Sequence, residues 1–189
     1  MRSMDHADRY LNVVDVEATC WVGRPAAGMV SEIIEVGLTV VDLEEGRRVG
    51  KHRVLVRPAR STVSEFCTEL TGLTQREVEG GVSFAEACRG LATSFESGVR
   101  CWASWGEYDR RQFEAQCQAT RTEYPFGRRH VNAKAVFTEA RGLRKRPGMA
   151  RALDIAGLPL EGRHHRGEDD AWNIAALILG LRSCRQWPI

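Results

Sequence analysis

The sequence predicts an α/β domain built on one mixed sheet with helices packed against it. Three observations carry that expectation. The first third holds short runs of β-branched residues punctuated by glycine and proline. From Ser83 onward the apolar spacing changes to the helical period, and strand-like and helical stretches then alternate to the end.

Leu11–Asp15 is a short valine-rich run followed by a loop with Gly23, Pro25 and Gly28. Glu32–Asp42 and Val49–Arg57 are β-rich and joined at Glu44-Glu45-Gly46, with Pro58 closing the second; together the three make an antiparallel meander. Ser83 and Glu86 form a capping box, after which Phe84, Ala87, Cys88, Leu91 and Phe95 recur on one helical face. Val99–Ala103 returns to strand, and Asp109–Thr120 is helical. A short strand at His130–Asn132 and a helix from Lys134 follow. Gly148–Ala156 is a helix ended by Gly157 and Pro159. The last helix, Glu168–Leu181, aligns Ala171, Ile174, Ala175, Ile178 and Leu181.

At 189 residues, 43% hydrophobic and 28% charged, the composition excludes collagen-like, low-complexity and wholly disordered chains. The longest apolar run, Ile174–Leu179, is far short of the roughly 20 residues a membrane span needs. Met1–Arg9 carries both charge signs and no apolar stretch, so no signal peptide is expected, and the protein reads as soluble and cytoplasmic. Cysteines 20, 67, 88, 101, 117 and 184 show no CxxC or Cys/His spacing; no zinc site and no disulfide-linked partner are expected, but mostly buried thiols. The net charge of +2 hides a basic segment: 119–166 holds 11 Lys/Arg against 4 Asp/Glu. That segment suits a phosphate-binding face and equally a solvated arginine surface.

Three sets of residues can carry chemistry. Asp15 and Glu17 are two apart on a strand and point to one face, about 6.6 Å apart along it. Side by side near a core they need a proton or a cation between them; on an edge strand they would only face solvent. His164-His165-Arg166-Gly167-Glu168-Asp169-Asp170 leads into the last helix. Acids there complement the helix dipole, which leaves the two histidines unexplained. Asp109 follows Ser104-Trp105-Gly106 at the start of a helix, where capping alone would account for it.

Taken together, Asp15-x-Glu17, Asp109, and His165 with Asp170 after four intervening residues resemble the DEDDh group of 3′→5′ exonucleases. Four local words are similar to its Eri-type branch, which includes the histone-mRNA 3′-end exonuclease: Asp15-Val-Glu-Ala-Thr-Cys20, Phe66-Cys-Thr-Glu-Leu-Thr-Gly-Leu-Thr-Gln75, Ser104-Trp-Gly-x-x-Asp109 and Gly167-x-Asp-Asp-x-x-Asn-Ile-Ala175. The resemblance covers about Leu11 to Leu181. It implies a ribonuclease H-like fold, a five-stranded sheet with the first three strands antiparallel and helices flanking it. The exonuclease domain would span 10–183, between an N-terminal extension, 1–9, and a C-terminal tail, 184–189. Unlike the animal members, the sequence presents no accessory nucleic-acid-binding domain around that core, so a specialised RNA stem-loop is not expected as substrate.

The resemblance further implies two Mg²⁺ or Mn²⁺ ions about 3.5–4 Å apart. Asp15 would bridge them, Glu17 and Asp170 would complete one shell, and Asp109 would hold the second ion directly or through water. His165 would be the general base; the family spacing selects it over His164, and Asp170 over Asp169. Ala18 and Thr19 would place backbone near the terminal 3′-hydroxyl, Phe66 and Tyr108 would sandwich the last base, and Arg128, Arg129 and the run Arg144-Lys145-Arg146 would follow the phosphates. The expected partner is the 3′ end of single-stranded RNA or DNA. The alternatives are a DNA-trimming or proofreading exonuclease, an inactive nucleic-acid-binding module, and a structural metal-binding domain.

Overall fold

The valine-rich run at the start of the chain forms β1 (Tyr10–Ala18), the centre of a five-stranded sheet ordered β3-β2-β1-β4-β5. The computed structural model describes residues 6–189, so residues 1–5 of the expected extension lie outside the described residues; one helical turn, α1 (His6–Arg9), leads into β1. β2 (Ile33–Asp42) and β3 (Arg47–Leu55) complete the antiparallel meander. β4 (Cys101–Ser104) and β5 (His130–Asn132) add in parallel on the other side of β1.

Several strand boundaries differ from expectation: β1 runs past Asp15 to Ala18, β2 starts at Ile33 and β3 ends at Leu55. β3 starts earlier, because Arg47 and Arg48 pair with Asp42 and Val41 on an edge strand that tolerates polar side chains. β4 starts later, because the N–H groups of Val99 and Arg100 both bond the Glu96 carbonyl, each at 2.9 Å, in a turn.

Three helices lie between β3 and β4: α2 (Glu65–Thr71), α3 (Gln75–Glu79) and α4 (Phe84–Ser94). Only α4 was legible from its apolar period. α2 is capped by Ser64, whose Oγ accepts from the Cys67 N–H at 3.0 Å, and it ends at Gly72 with φ 72°. α3 carries its own capping box, Thr74 with Glu77. Then come α5 (Tyr108–Thr120), α6 (Ala133–Ala140), α7 (Met149–Ala156) and α8 (Gly167–Ser183).

The alternation along β1 divides the core between the two faces of the sheet. Val14 and Val16 face Leu38, Phe84, Leu91, Trp102 and Phe113, beneath α4 and α5. Leu11 and Val13 face Phe137, Leu153, Ile174, Ile178 and Leu181, beneath α6, α7 and α8. Trp187 is buried with this second group, so the 184–189 stretch folds back onto the domain. Of the six cysteines, Cys67, Cys88, Cys101 and Cys117 are buried, Cys20 is half-buried and Cys184 exposed. No helix among the described residues is long and apolar enough to cross a membrane.

Candidate active site

On the α8 face of β1 the side chains run Leu11, Val13, Asp15, Glu17. Core gives way to carboxylates in two steps of the strand. α8 brings Asp170 to the same place. Carboxylate oxygens of Asp15, Glu17 and Asp170 all lie within 4.8 Å of one another. Asp109, in the first turn of α5, is buried against them, and its Oδ1 accepts a 2.9 Å bond from the Val16 N–H between the two β1 acids.

The seating of α8 depends on two glycines. A Cβ on Gly37 would fall 1.9 Å from the Gly167 backbone, so β2 and the start of α8 meet main chain to main chain. The Gly167 N–H donates to Glu35 Oε2 at 3.1 Å, and Arg53 pairs with the other Glu35 oxygen. Sequence reasoning passed over Glu35. All ten residues of β2 are buried, so no alternation distinguishes it.

The histidine loop is held from below. Asp169 accepts from the Arg163 N–H at 2.8 Å and pairs with Lys51. Asn173 closes the loop with bonds to the Glu161 N–H and carbonyl, 3.0 and 2.8 Å. Asp170 faces the opposite way, into the cluster: it accepts the His165 N–H at 3.0 Å and contacts His164 Nδ1 at 3.0 Å. His165 has φ 64°, a backbone conformation rare outside glycine, and its ring stacks on that of His164 with centroids 3.9 Å apart.

Crowding sets the charge state. Burial, then Asp109, Asp170 and Glu17, push the Asp15 carboxyl well above the usual range. Burial and the neighbouring Asp170 and Glu35 push Glu17 up to about 8, with Arg166 opposing. Asp109 is pushed to about 6 by burial, despite hydrogen bonds from the Val16 N–H, its own N–H and Ser104. Asp170 is raised by burial and partly relieved by His164 and His165. Burial, then His164, holds His165 below its ordinary value. Hard oxygen donors this close, with so little protein cation beside them, suit a divalent ion.

The acids open into a cleft of about 370 Å³, lined also by Ala18, Leu70, Tyr108, His164 and His165. Of the expected terminal-nucleotide residues, Ala18 and Tyr108 are there. Thr19 is not: its N–H bonds the Glu32 carbonyl at 2.8 Å and its hydroxyl serves the Glu32 N–H and the Val30 carbonyl. Phe66 is exposed in the first turn of α2, and Leu70, one turn on, lines the cleft instead. Arg129 is tied to Asp8 and the Val99 carbonyl, while Arg128, Arg144, Lys145 and Arg146 are exposed.

Residues 13–178 match the family model described as Exonuclease, and the chain belongs to that family. Within it the chain is similar to 3′-5′ exoribonucleases. The rat 3′-5′ exoribonuclease 1 is 31% identical over 182 residues, covering 91% of this chain and 52% of that protein. The human protein of the same name is 29% identical, with the same coverage of 91% and 52%. The chain thus spans about half the length of these mammalian relatives. Among solved structures, the nuclease domain of 3′hExo, a DEDDh family member bound to rAMP, superposes with a TM-score of 0.84 at 26% identity, covering 95% of this chain and 94% of that one. A 3′-exonuclease solved for 3′-end specific recognition of a histone mRNA stem-loop gives 0.83 at 26% identity, covering 95% and 84%. The fold is the ribonuclease H-like exonuclease fold that the sequence resemblance implied.

Proposed function

We propose that this chain is a metal-dependent 3′→5′ exonuclease that removes nucleotides from the 3′ end of single-stranded RNA and releases 5′-mononucleotides. One observation supports it above the others: three carboxylates from β1 and α8 converge within 4.8 Å, with a fourth buried beside them, at the floor of an open cleft. The exoribonucleases among its relatives favour RNA as the polymer.

Asp15, Glu17, Asp109 and Asp170 would hold two Mg²⁺ or Mn²⁺ ions, which would supply positive charge to the scissile phosphate and to the attacking water. His165 accepts a proton from that water at a ring nitrogen. Its lowered pKa keeps the ring neutral, and so able to accept, at neutral pH. Asp170 orients the loop through the His165 N–H. Ala18 offers backbone to the terminal sugar. Tyr108, 56% exposed at the cleft edge, presents a ring to the last base, and Phe66 would join it only by turning inward from α2.

The test is incubation of 5′-labelled single-stranded RNA, and DNA of the same sequence, with Mn²⁺, Mg²⁺ or chelator, beside an Asp15→Asn control. A metal-dependent ladder shortening from the 3′ end, faster on RNA and absent in the control, is the expected result. Binding without cleavage in any metal would defeat the reading and leave a nucleic-acid grip on a nuclease fold.

A further inference from the structure

Beside the acidic cleft lies a second concavity of about 590 Å³, whose walls include Tyr108, Arg111, Gln112, Asn132, Lys134 and Arg146. The two adjoin at Tyr108. Tyr108 lines both, and Gly148 and Met149 of the cleft follow Arg146 closely in the chain. Three separate elements deliver the cations: Arg111 from the first turns of α5, Lys134 from the start of α6, and Arg146 from the loop before α7.

What marks this place is that three cations without acid partners converge on one concavity. Several arginines elsewhere are answered by acids, among them Arg9 by Asp42, Arg48 by Glu161, Arg53 by Glu35 and Arg100 by Glu96. Among the described residues, the side chains of Arg111, Lys134 and Arg146 make no ion pair and no hydrogen bond. The one acid in the wall, Glu107, is already engaged by Arg110 at 3.2 Å and by Asn132 Nδ2 at 2.9 Å. Gln112 is turned to the Ser31 carbonyl. Three cations thus surround an open basin with no protein anion to meet them, directly next to a cleft where carboxylates crowd. Gly106 also lines it, in a backbone conformation (φ 117°) that L side chains rarely adopt.

A polyanion whose end lies among four acids needs counter-charge for the phosphates that follow, and separate cations along a groove supply it. Building on the exonuclease reading, we propose that this basin is the subsite for the upstream strand: the phosphates immediately 5′ of the scissile bond lie along Arg111, Lys134 and Arg146. Contacts to phosphate alone carry no base preference, which suits an enzyme that advances through any sequence.

The test compares two substrates of the full chain: a 5′-labelled single-stranded RNA, and the 5′-p-nitrophenyl ester of uridine monophosphate, which has no upstream phosphates. In an Arg111→Ala/Arg146→Ala protein the ratio of RNA to ester kcat/KM falls about tenfold, mainly through KM, and lysines at both positions restore most of it. The slope of log kcat/KM on RNA against log salt flattens by about 1.4, roughly 0.7 for each phosphate that no longer meets a guanidinium. Equal losses on both substrates would show a structural role and overturn the proposal, as would an unchanged ratio.

The nuclease reading fails separately. Fluorescence anisotropy of labelled RNA on the Asp15→Asn protein reports the basin without cleavage. A chain that cuts neither substrate but loses RNA affinity with the two alanines would keep the basin and discard the nuclease. Affinity indifferent to both arginines would discard the basin.

Discussion

Glu32 and Asp42 at the ends of β2 are buried, as is Glu17 on β1 beside the half-buried Asp15, yet the chain treats the two pairs in opposite ways. Glu32 accepts three main-chain bonds, from the N–H groups of Ala59, Arg60 and Ser61, at 2.8 to 3.0 Å. Asp42 takes Arg9 and the N–H groups of Glu44 and Glu45; burial opposes them, but together they hold its carboxyl below the usual range. Asp15 and Glu17 sit across the same strand pair with almost no donors and each other's charge, and both are pushed upward. Where a carboxylate serves the fold, the protein supplies its partners. Where the protein withholds them, the partner is meant to arrive from outside.

The sharpest way to break this contrast is to neutralise one acid of each kind. Asp170→Asn should slow RNA cleavage by at least about 10³-fold, measured by gel under saturating Mn²⁺, while the chain stays folded by circular dichroism. Retention of more than a tenth of the rate would place Asp170 outside the chemistry.

Glu32→Ala should do the reverse, costing about 3 kcal/mol in urea unfolding because three main-chain N–H groups, that of Ser61 buried, lose their charged acceptor. A midpoint equal to that of the wild type would show that Glu32 is not a structural carboxylate.

The smallest effect is the most diagnostic. Glu17 keeps its proton in the folded chain up to about 8, against an ordinary value of 4.5. The folded state therefore binds the extra proton between those values, and the stability of the metal-free protein falls as pH rises through that window. Glu17→Gln should raise metal-free stability at about pH 8 by on the order of 2 kcal/mol, and added Mn²⁺ should do the same for the wild type. A melting temperature in chelator that stays level from about pH 5 to about pH 8 would contradict the crowding argument.

Much of this was legible in the residues. β-branched runs marked β1 and β2, and the Ser83–Glu86 box marked α4. Thr74 and Glu77 carried the same signature for α3, but that helix is five residues long and leaves no apolar period to confirm it. The acids of the site were legible because strand alternation and the word at the start of α8 are local. Glu35, the Gly37–Gly167 contact and the unanswered Arg111 and Lys134 were not. Each has meaning only through a partner far along the chain, or through the lack of one. Thr19 shows the converse: a residue inside the motif word whose N–H and hydroxyl bond the Val30–Glu32 backbone.

The contact between Gly37 and Gly167 has a bearing on how the protein is made. It joins β2, near the start of the sequence, to a helix more than a hundred residues further on. A ribosome adds about 5–20 residues per second and releases the early strands first. Asp15 and Glu17 therefore emerge into a cell full of messenger RNA while Asp170 has yet to be translated. Until α8 settles main chain against main chain on Gly37, the carboxylate set is incomplete. If the site cuts RNA as proposed, the growing polypeptide would spare its own template until α8 has left the ribosome.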